Sequence, residues 1–226
     1  MASDIIVGID CTGETFSAAV MRGKECLAEI SGLSTRAHLQ LLFPSIVRAT
    51  EQAGLKMADI GAVAVTSGPG SFTGLRLGIV TARTMAQTLG CKHFPVSTLE
   101  ALAMNAPGFS CVLEGLDARR GEIFGAFFDM SGGMPKRLCP DTAFTPATIG
   151  EAMDKYGCRA VVGSCIGRYR ATLERPGLVF LPSSLAMIRG SMVALLAADH
   201  GKEAGIMELA PEYLRVAEVQ VQGYAG

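Results

Sequence analysis

Two carboxylates stand where chemistry is commonly done. Asp10 closes the apolar run Ile5-Ile6-Val7-Gly8-Ile9, and Asp117 closes Cys111-Val112-Leu113-Glu114-Gly115-Leu116. Each run reads as a buried strand ending in an acid, and α/β folds place ligands at the C-terminal ends of strands. Thr12 lies in the turn after Asp10, and an Asx cap of that turn is the alternative use of the acid. After Asp117 come Arg119 and Arg120. Their cations can clamp a phosphate or a carboxylate, or can simply line an exposed charged turn.

A third feature is the loop Ser67-Gly68-Pro69-Gly70-Ser71-Phe72-Thr73-Gly74-Leu75-Arg76. Gly68 and Gly70 permit positive φ and close approach by a ligand or another backbone. Ser71 or Thr73 can cap the helix that follows, whose first free N–H groups suit an anion. The candidate ligand positions are therefore Asp10, Thr12, Gly68, Gly70, Ser71, Thr73, Gly74, Asp117, Arg119 and Arg120. The loop is not a Walker loop, because Gly74 is followed by Leu75 rather than Lys. It is not a dinucleotide fingerprint either, because Thr73 replaces the third glycine. Without a ligand it is a tight turn. His38, at the entrance of a predicted helix, completes the candidates; a lone histidine there is more often a structural group than a ligand.

These residues need a frame. Residues 60–65 read as the strand before the loop and residues 75–89 as the helix after it. Residues 5–10, 16–21 and 25–30 read as three antiparallel strands. A helix is expected over 38–53, with Leu39, Leu42, Phe43, Ile46 and Val47 on one face, Leu41 off it, and Pro44 as a kink or late start. Gly74, Gly78, Ala82 and Ala86 recur every four residues and permit close packing. Leu39, Leu42, Phe43, Ile46, Gly78, Ala82 and Ala86 are thus the candidate subunit interface, although packing within the chain would use the same residues.

Residues 92–96 read as a short strand, and Ser97-Thr98-Leu99-Glu100 as a capping box opening a helix to about residue 104. Pro107-Gly108 breaks the pattern, so two units are expected, 1–106 and 107–226. The second repeats the theme: strands over 111–116 and 123–129 around a polar turn, a helix over 145–155, strands near 160–163 and 179–181, and a helix over 185–199. The last helix can pack back on the first unit. Pro211-Glu212-Tyr213-Leu214-Arg215 can dock on a partner or on its own domain.

The composition limits the classes. The chain has 226 residues, 49% of them apolar, and a net charge of −1. That supports a real core and excludes a broad basic face for nucleic acid. Seven scattered cysteines suggest neither a zinc ribbon nor a disulfide framework. No signal peptide and no membrane span are read, so a cytoplasmic protein is expected.

Several segments together resemble the bacterial TsaB (YeaZ) family. They are the glycine loop, Ile9-Asp10-Cys11-Thr12, His38 ahead of a Leu-Leu-x-Pro stretch, Asp117-Ala118-Arg119-Arg120-Gly121-Glu122, and Pro211-Glu212-Tyr213-Leu214-Arg215. They span nearly the whole chain in order. Cys11 departs from the threonine more usual there. The resemblance implies an α/β, actin/Hsp70-like (ASKHA) fold of two related halves. It implies a role in making threonylcarbamoyladenosine in tRNA, as the partner of TsaD, which performs the transfer, alongside the ATPase TsaE and a threonylcarbamoyl-adenylate synthase. It further implies tRNA contact only through the complex, with ATP or ADP a candidate ligand there; without TsaD the apolar helix faces are expected to pair in a homodimer, because exposed patches of that kind rarely stay bare.

TsaD-like relatives carry a His-His-Met-Glu-Gly-His metal motif where this chain has Ser97-Thr98-Leu99-Glu100-Ala101-Leu102. Those side chains ligate iron or zinc poorly, and His38, His93 and His200 form no ligand pair of their own. A non-catalytic paralogue without a metal is therefore expected. The alternatives are an ATP-dependent enzyme of the same fold, using Asp10, Asp117 and an arginine, and an M22-type glycoprotease, which lacks the metal histidines.

Overall fold

The computed structural model describes residues 4–33, 38–205 and 208–214, with the side chains of His38 and Leu39 outside the description. The first sheet contains β1 (Ile5–Asp10), β2 (Thr15–Arg22) and β3 (Glu25–Leu33). Helix α1 (His38–Gln52), β4 (Ala62–Gly68), α2 (Phe72–Leu89), β5 (Lys92–Ser97) and α3 (Thr98–Ala103) follow. The sheet order is β3-β2-β1-β4-β5, antiparallel through β1 and parallel beyond it.

The second sheet starts with the hairpin β6 (Val112–Asp117) and β7 (Ile123–Asp129), with β8 (Lys136–Arg137) and β9 (Thr142–Phe144) pairing on β7. Helix α4 (Pro146–Tyr156), β10 (Ala160–Val162), α5 (Cys165–Leu173), β11 (Val179–Phe180) and α6 (Gly190–His200) complete it. Its order is β11-β10-β6-β7-β8.

Alternation along the strands sets the layers. Ile5, Val7 and Ile9 of β1 face a core built with Leu42 and Ile46 of α1 and Ile79, Ala82 and Met85 of α2. The opposite face, through Ile6 and Ala64, meets a second core containing Leu99 and Leu102 of α3 and Val193 and Leu196 of α6. Val112, Ala126 and Phe128 of the second sheet close that core from the far side. The far sheet's outer face, with Leu113, Phe127 and Val161, is covered by α4 and α5. So α3 and α6 lie between two mixed sheets, and each sheet carries a helix pair outside. No described helix is long and apolar enough to cross a membrane.

Three local expectations are corrected. The helix expected over 185–199 begins at Gly190, because Met187 and Arg189 are extended and a short 3-10 turn precedes them. Its start is fixed from elsewhere in the chain. Gly190 N–H donates to Ser17 Oγ (2.8 Å), and Ser191 N–H and Oγ donate to Glu29 (3.1 and 2.9 Å). Helix α2 begins at Phe72 rather than residue 75, with Ser71 Oγ accepting from Gly74 N–H. Helix α5 is additional to the elements read from the sequence.

The interface face is corrected as well. Leu42, Ile46, Gly78, Ala82 and Ala86 are buried in this chain's own core. A Cβ on Gly78 would already touch Val65 and the Cys11 sulfur at 3.2 and 3.3 Å. Both helices lie flat on the first sheet, so their small and apolar stripes are consumed internally. The large apolar side chains left outside include Leu41, Phe43 (49% exposed), Phe72 and Val80 (58%). Leu39 lies outside the described side chains.

Candidate functional site

β1 and β4 are parallel neighbours, so their C-terminal ends meet. Asp10 is buried there. Its Oδ1 accepts from Thr12 Oγ1 and Thr66 Oγ1, each at 2.7 Å, and from Thr12 N–H at 3.3 Å. Its Oδ2 is buried with no hydrogen-bond partner. Burial pushes the Asp10 carboxyl up to about 6, against the lowering pull of Thr12 and Thr66. The Asx-turn bond and the raised acidity constant belong to the same residue, so Asp10 both shapes its turn and stands poised to hold a proton.

The glycine loop does not stand apart from this turn. Ser71 N–H donates to Thr12 O at 2.8 Å. A Cβ on Gly70 would lie 2.7 Å from Thr12 Cβ, and one on Gly74 would lie 1.9 Å from Cys11 O. Gly70 is therefore explained by the Thr12 side chain and Gly74 by the Cys11 backbone, rather than by space kept for a ligand. Gly68 meets the tail: its Cβ would lie 2.2 Å from Glu212 O. The described part of the Pro-Glu-Tyr segment packs back on the first unit of the same chain, at Ser67, Phe72 and Arg76. Ser71 and Thr73 are exposed at the start of α2.

Asp117 is held within the second sheet. Its N–H donates to Ser164 Oγ (3.0 Å), its Oδ1 accepts from Arg119 N–H (2.8 Å), and Arg168 lies 3.8 Å from Oδ2. Arg119, Arg120 and Gly121 all have positive φ, 57°, 52° and 86°. Two non-glycine residues in that region make a strained turn, of a kind concentrated at functional sites. The structure thus groups Asp10, Thr12 and residues 68–74 in one place and Asp117, Arg119 and Arg120 in another. The side chain of His38 lies outside the description.

At the N-terminus of α3 the sequence reading missed a partner. Ser97 Oγ accepts from Glu100 N–H and from Arg137 Nη2 (2.8 Å), and Arg137 also pairs with Asp141 and lies 3.9 Å from Glu100. His200 Nε2 contacts Glu100 Oε1 at 2.9 Å. A guanidinium and a hydroxyl stand among these acids, so the residues do not fit a metal ion: Ser97, Thr98 and Leu102 supply no imidazole, and Arg137 already neutralises the carboxylates. Among the described residues, no three His, Cys, Asp or Glu side chains converge as metal ligands. Thr66, Arg137 and Glu114 carried no local signal. Glu114 is fully buried within β6 with both oxygens unpartnered, and burial holds its carboxyl well above the usual range.

The geometry of Asp10 makes a measurable prediction. Its folded acidity constant, about 6, lies above the ordinary 3.8. Between pH 4 and 6 the folded state binds more protons than the unfolded state, so stability falls as pH rises, and above pH 7 the cost is complete. An amide removes the buried charge, while its unpartnered N–H groups offset part of that gain. Asp10→Asn is therefore expected to be more stable than the parent at pH 8, by up to about 3 kcal/mol. Urea midpoints should converge as pH falls to 4; a variant less stable at pH 8 would contradict the charge penalty.

Comparisons with known proteins bear on the family and the fold. The family model "TsaD: tRNA N6-adenosine threonylcarbamoyltransferase" matches residues 25–151. The Bacillus subtilis tRNA threonylcarbamoyladenosine biosynthesis protein TsaB is 29% identical over 223 residues, 96% of each chain. The solved structure of YeaZ from Pseudomonas aeruginosa has a TM-score of 0.81 and 22% identity over 93% of this chain and all of that one. The activator of 2-hydroxyisocaproyl-CoA dehydratase from Clostridium difficile, solved with ADPNP, has a TM-score of 0.52 and 13% identity, covering 86% and 94%. The last two likenesses concern the fold, an actin-like ATPase arrangement of two sheets.

Proposed function

This chain belongs to the TsaD family, in its TsaB (YeaZ) branch, and on that premise we propose that it is the non-catalytic partner of a TsaD transferase. It takes part in tRNA threonylcarbamoyladenosine biosynthesis. The observation that carries the non-catalytic reading is Arg137, bonded to Ser97 where the transferase motif would place a metal histidine. A fixed cation and two carboxylates there form a structural ion cluster joining α3 to the β8–β9 region.

In this reading the exposed faces of α1 and α2 dock on TsaD, and pair two copies of the chain when TsaD is absent. The units 1–106 and 107–226 are the two ASKHA halves, with α6 of the second packed on the first sheet. TsaE joins the assembly, tRNA is reached through the complex because the chain has a net charge of −1, and ATP or ADP belongs to the complex. The Asp10 turn and the loop 68–74 are a degenerate phosphate cleft.

Reconstitution tests this directly. TsaD, TsaE, the threonylcarbamoyl-adenylate synthase, tRNA, threonine, bicarbonate and ATP should give threonylcarbamoyladenosine only when this chain is added. Equal yield without it, or modified tRNA from the chain without TsaD, would overturn the proposal.

A further inference from the structure

The cysteines are free thiols, and two of them meet where the second sheet begins. Cys111 stands just before β6 and Cys158 just ahead of β10, and those strands are parallel neighbours. Cys111 O accepts from Arg159 N–H at 2.9 Å and from Ala160 N–H at 3.4 Å, so the turn that carries Cys158 is tied to the start of β6. The turn is fixed from its other side as well. Gly157 closes α4 at φ 64°, and Cys158 N–H donates to Met153 O at 2.9 Å. Cys158 Sγ lies 3.2 Å from Ala160 O and within hydrogen-bond reach of Cys111 Sγ. Cys111 is buried and Cys158 half-buried, both against the core under α4 and α5. Backbone bonds on two sides therefore hold the two sulfurs in contact.

We propose that Cys111 and Cys158 are a reversible oxidation site, at which a small peroxide converts the two thiols into a disulfide joining the starts of β6 and β10. The contact divides the labour. Thiolates rather than thiols react, and the hydrogen bond from Cys158 holds the Cys111 thiol below its ordinary range, against the opposing effects of burial and Asp129. Cys111 is thus the attacking sulfur and Cys158 the resolving one. The Cys111 thiolate attacks one peroxide oxygen, the O–O bond breaks, and hydroxide leaves and is protonated to water; Cys111 becomes a sulfenic acid. The Cys158 thiolate then attacks Cys111 Sγ, the S–O bond breaks, and the second oxygen leaves as water. The two thiol protons end in the two waters, and the two electrons lost by the sulfurs reduce the peroxide. The sulfurs need only close from contact to about 2 Å. Cys11 and Cys165 differ, because burial pushes both of their thiols up, and a buried un-ionised thiol is inert. The site lies at the opposite end of β6 from Asp117 and away from the exposed faces of α1 and α2, so it goes beyond the partner role and concerns the chain alone.

Hydrogen peroxide added to the folded full-length chain tests it, with free thiols then alkylated and the peptides read by mass spectrometry. A Cys111–Cys158 cross-link, lighter by two hydrogens than the paired thiols, is expected to form at least tenfold faster than oxidation of the exposed Cys26, and dithiothreitol should reverse it. Cys158→Ser should leave Cys111 as a sulfenic acid that dimedone traps. Cys111→Ser should leave Cys158 at least tenfold slower to oxidise than Cys111 is in the parent. Oxidation of Cys26 ahead of the pair overturns the proposal, and so does a cross-link from Cys111 to Cys139, whose sulfur accepts from Phe127 N–H on the neighbouring strand. A Cys111–Cys158 cross-link that forms only in urea also overturns it, because the folded contact would then not be what brings the sulfurs together.

Discussion

Gly8→Ala should leave little folded protein. A Cβ at residue 8 would lie 2.0 Å from Gly190 O, 2.8 Å from Ala194 N and 2.9 Å from Ala194 Cβ. The reciprocal change meets the same wall, since a Cβ on Gly190 would lie 2.4 Å from Gly8 O and 2.8 Å from Ala19 N. The obstacles are backbone atoms on both sides, so no rotamer change relieves them. β1 and the first turn of α6 would have to separate, and the bonds from Gly190 to Ser17 and from Ser191 to Glu29 would lengthen together. Overpacking usually costs about 1–3 kcal/mol, and a backbone-to-backbone clash belongs at or above the top of that range. That is a large part of the roughly 5–15 kcal/mol that holds a domain together. The urea midpoint, or the soluble yield, reads the effect for either substitution. Gly167→Ala is the control: a Cβ there meets nothing within 4 Å in the first turn of α5. It should be neutral or stabilising by up to about 1 kcal/mol, through helix propensity. A Gly8→Ala protein as stable as that control would mean that the two halves are not held through this contact.

The same contact marks the boundary of what sequence can reveal. The opening antiparallel strands, the strand before the glycine loop and the hairpin after Pro107 are legible because their apolar runs are local and bounded by turn residues. The stripes of α1 and α2 are legible too, but not their destination. Leu42 and Ile46 face the sheet while Phe43 and Val80 face out, and only the sheet beneath decides which. The start of α6 is invisible locally, because its first N–H groups are satisfied by Ser17 and Glu29, more than 160 positions away in sequence. Helix α5 is short and carries Arg168 and Arg170, so its apolar signal is weak.

The candidate site divides in the same way. Asp10 stands out as an acid ending an apolar run. Its acidity, however, depends on Thr66 from the next strand and on burial beneath the glycine loop. Gly70 and Gly74 are conspicuous in sequence for a ligand's sake, yet each is required by the neighbouring Cys11–Thr12 turn. Gly68 is required by a tail residue 144 positions later. A glycine pattern reports that something approaches closely; the fold says what.

Val80→Asp should abolish partner docking while leaving the chain folded, and with it the threonylcarbamoyladenosine formed in reconstitution. Val80 is 58% exposed on the outer face of α2, four residues on from Arg76 and eight from Phe72, so the three share one stripe. A carboxylate there loses little in the free chain, because it stays in water. Surface substitutions of that kind typically change stability by about 0.5 kcal/mol or less. At a closed apolar interface the same carboxylate would be buried without a partner. Its desolvation, at several kcal/mol, is enough to lower affinity by about a hundredfold or more. Phe43→Asp, on the outer face of α1, should act in the same direction if both helices meet the partner. The buried positions Ala82 and Ala86 cannot make this test, because a charge there would be driven into the first sheet and would report on folding instead. Sizing of the chain alone, pull-down with TsaD and the yield of modified tRNA should therefore fail together in Val80→Asp, with an unchanged thermal midpoint. A Val80→Asp chain that still pulls down TsaD and supports full modification would place the interface on another face of the molecule.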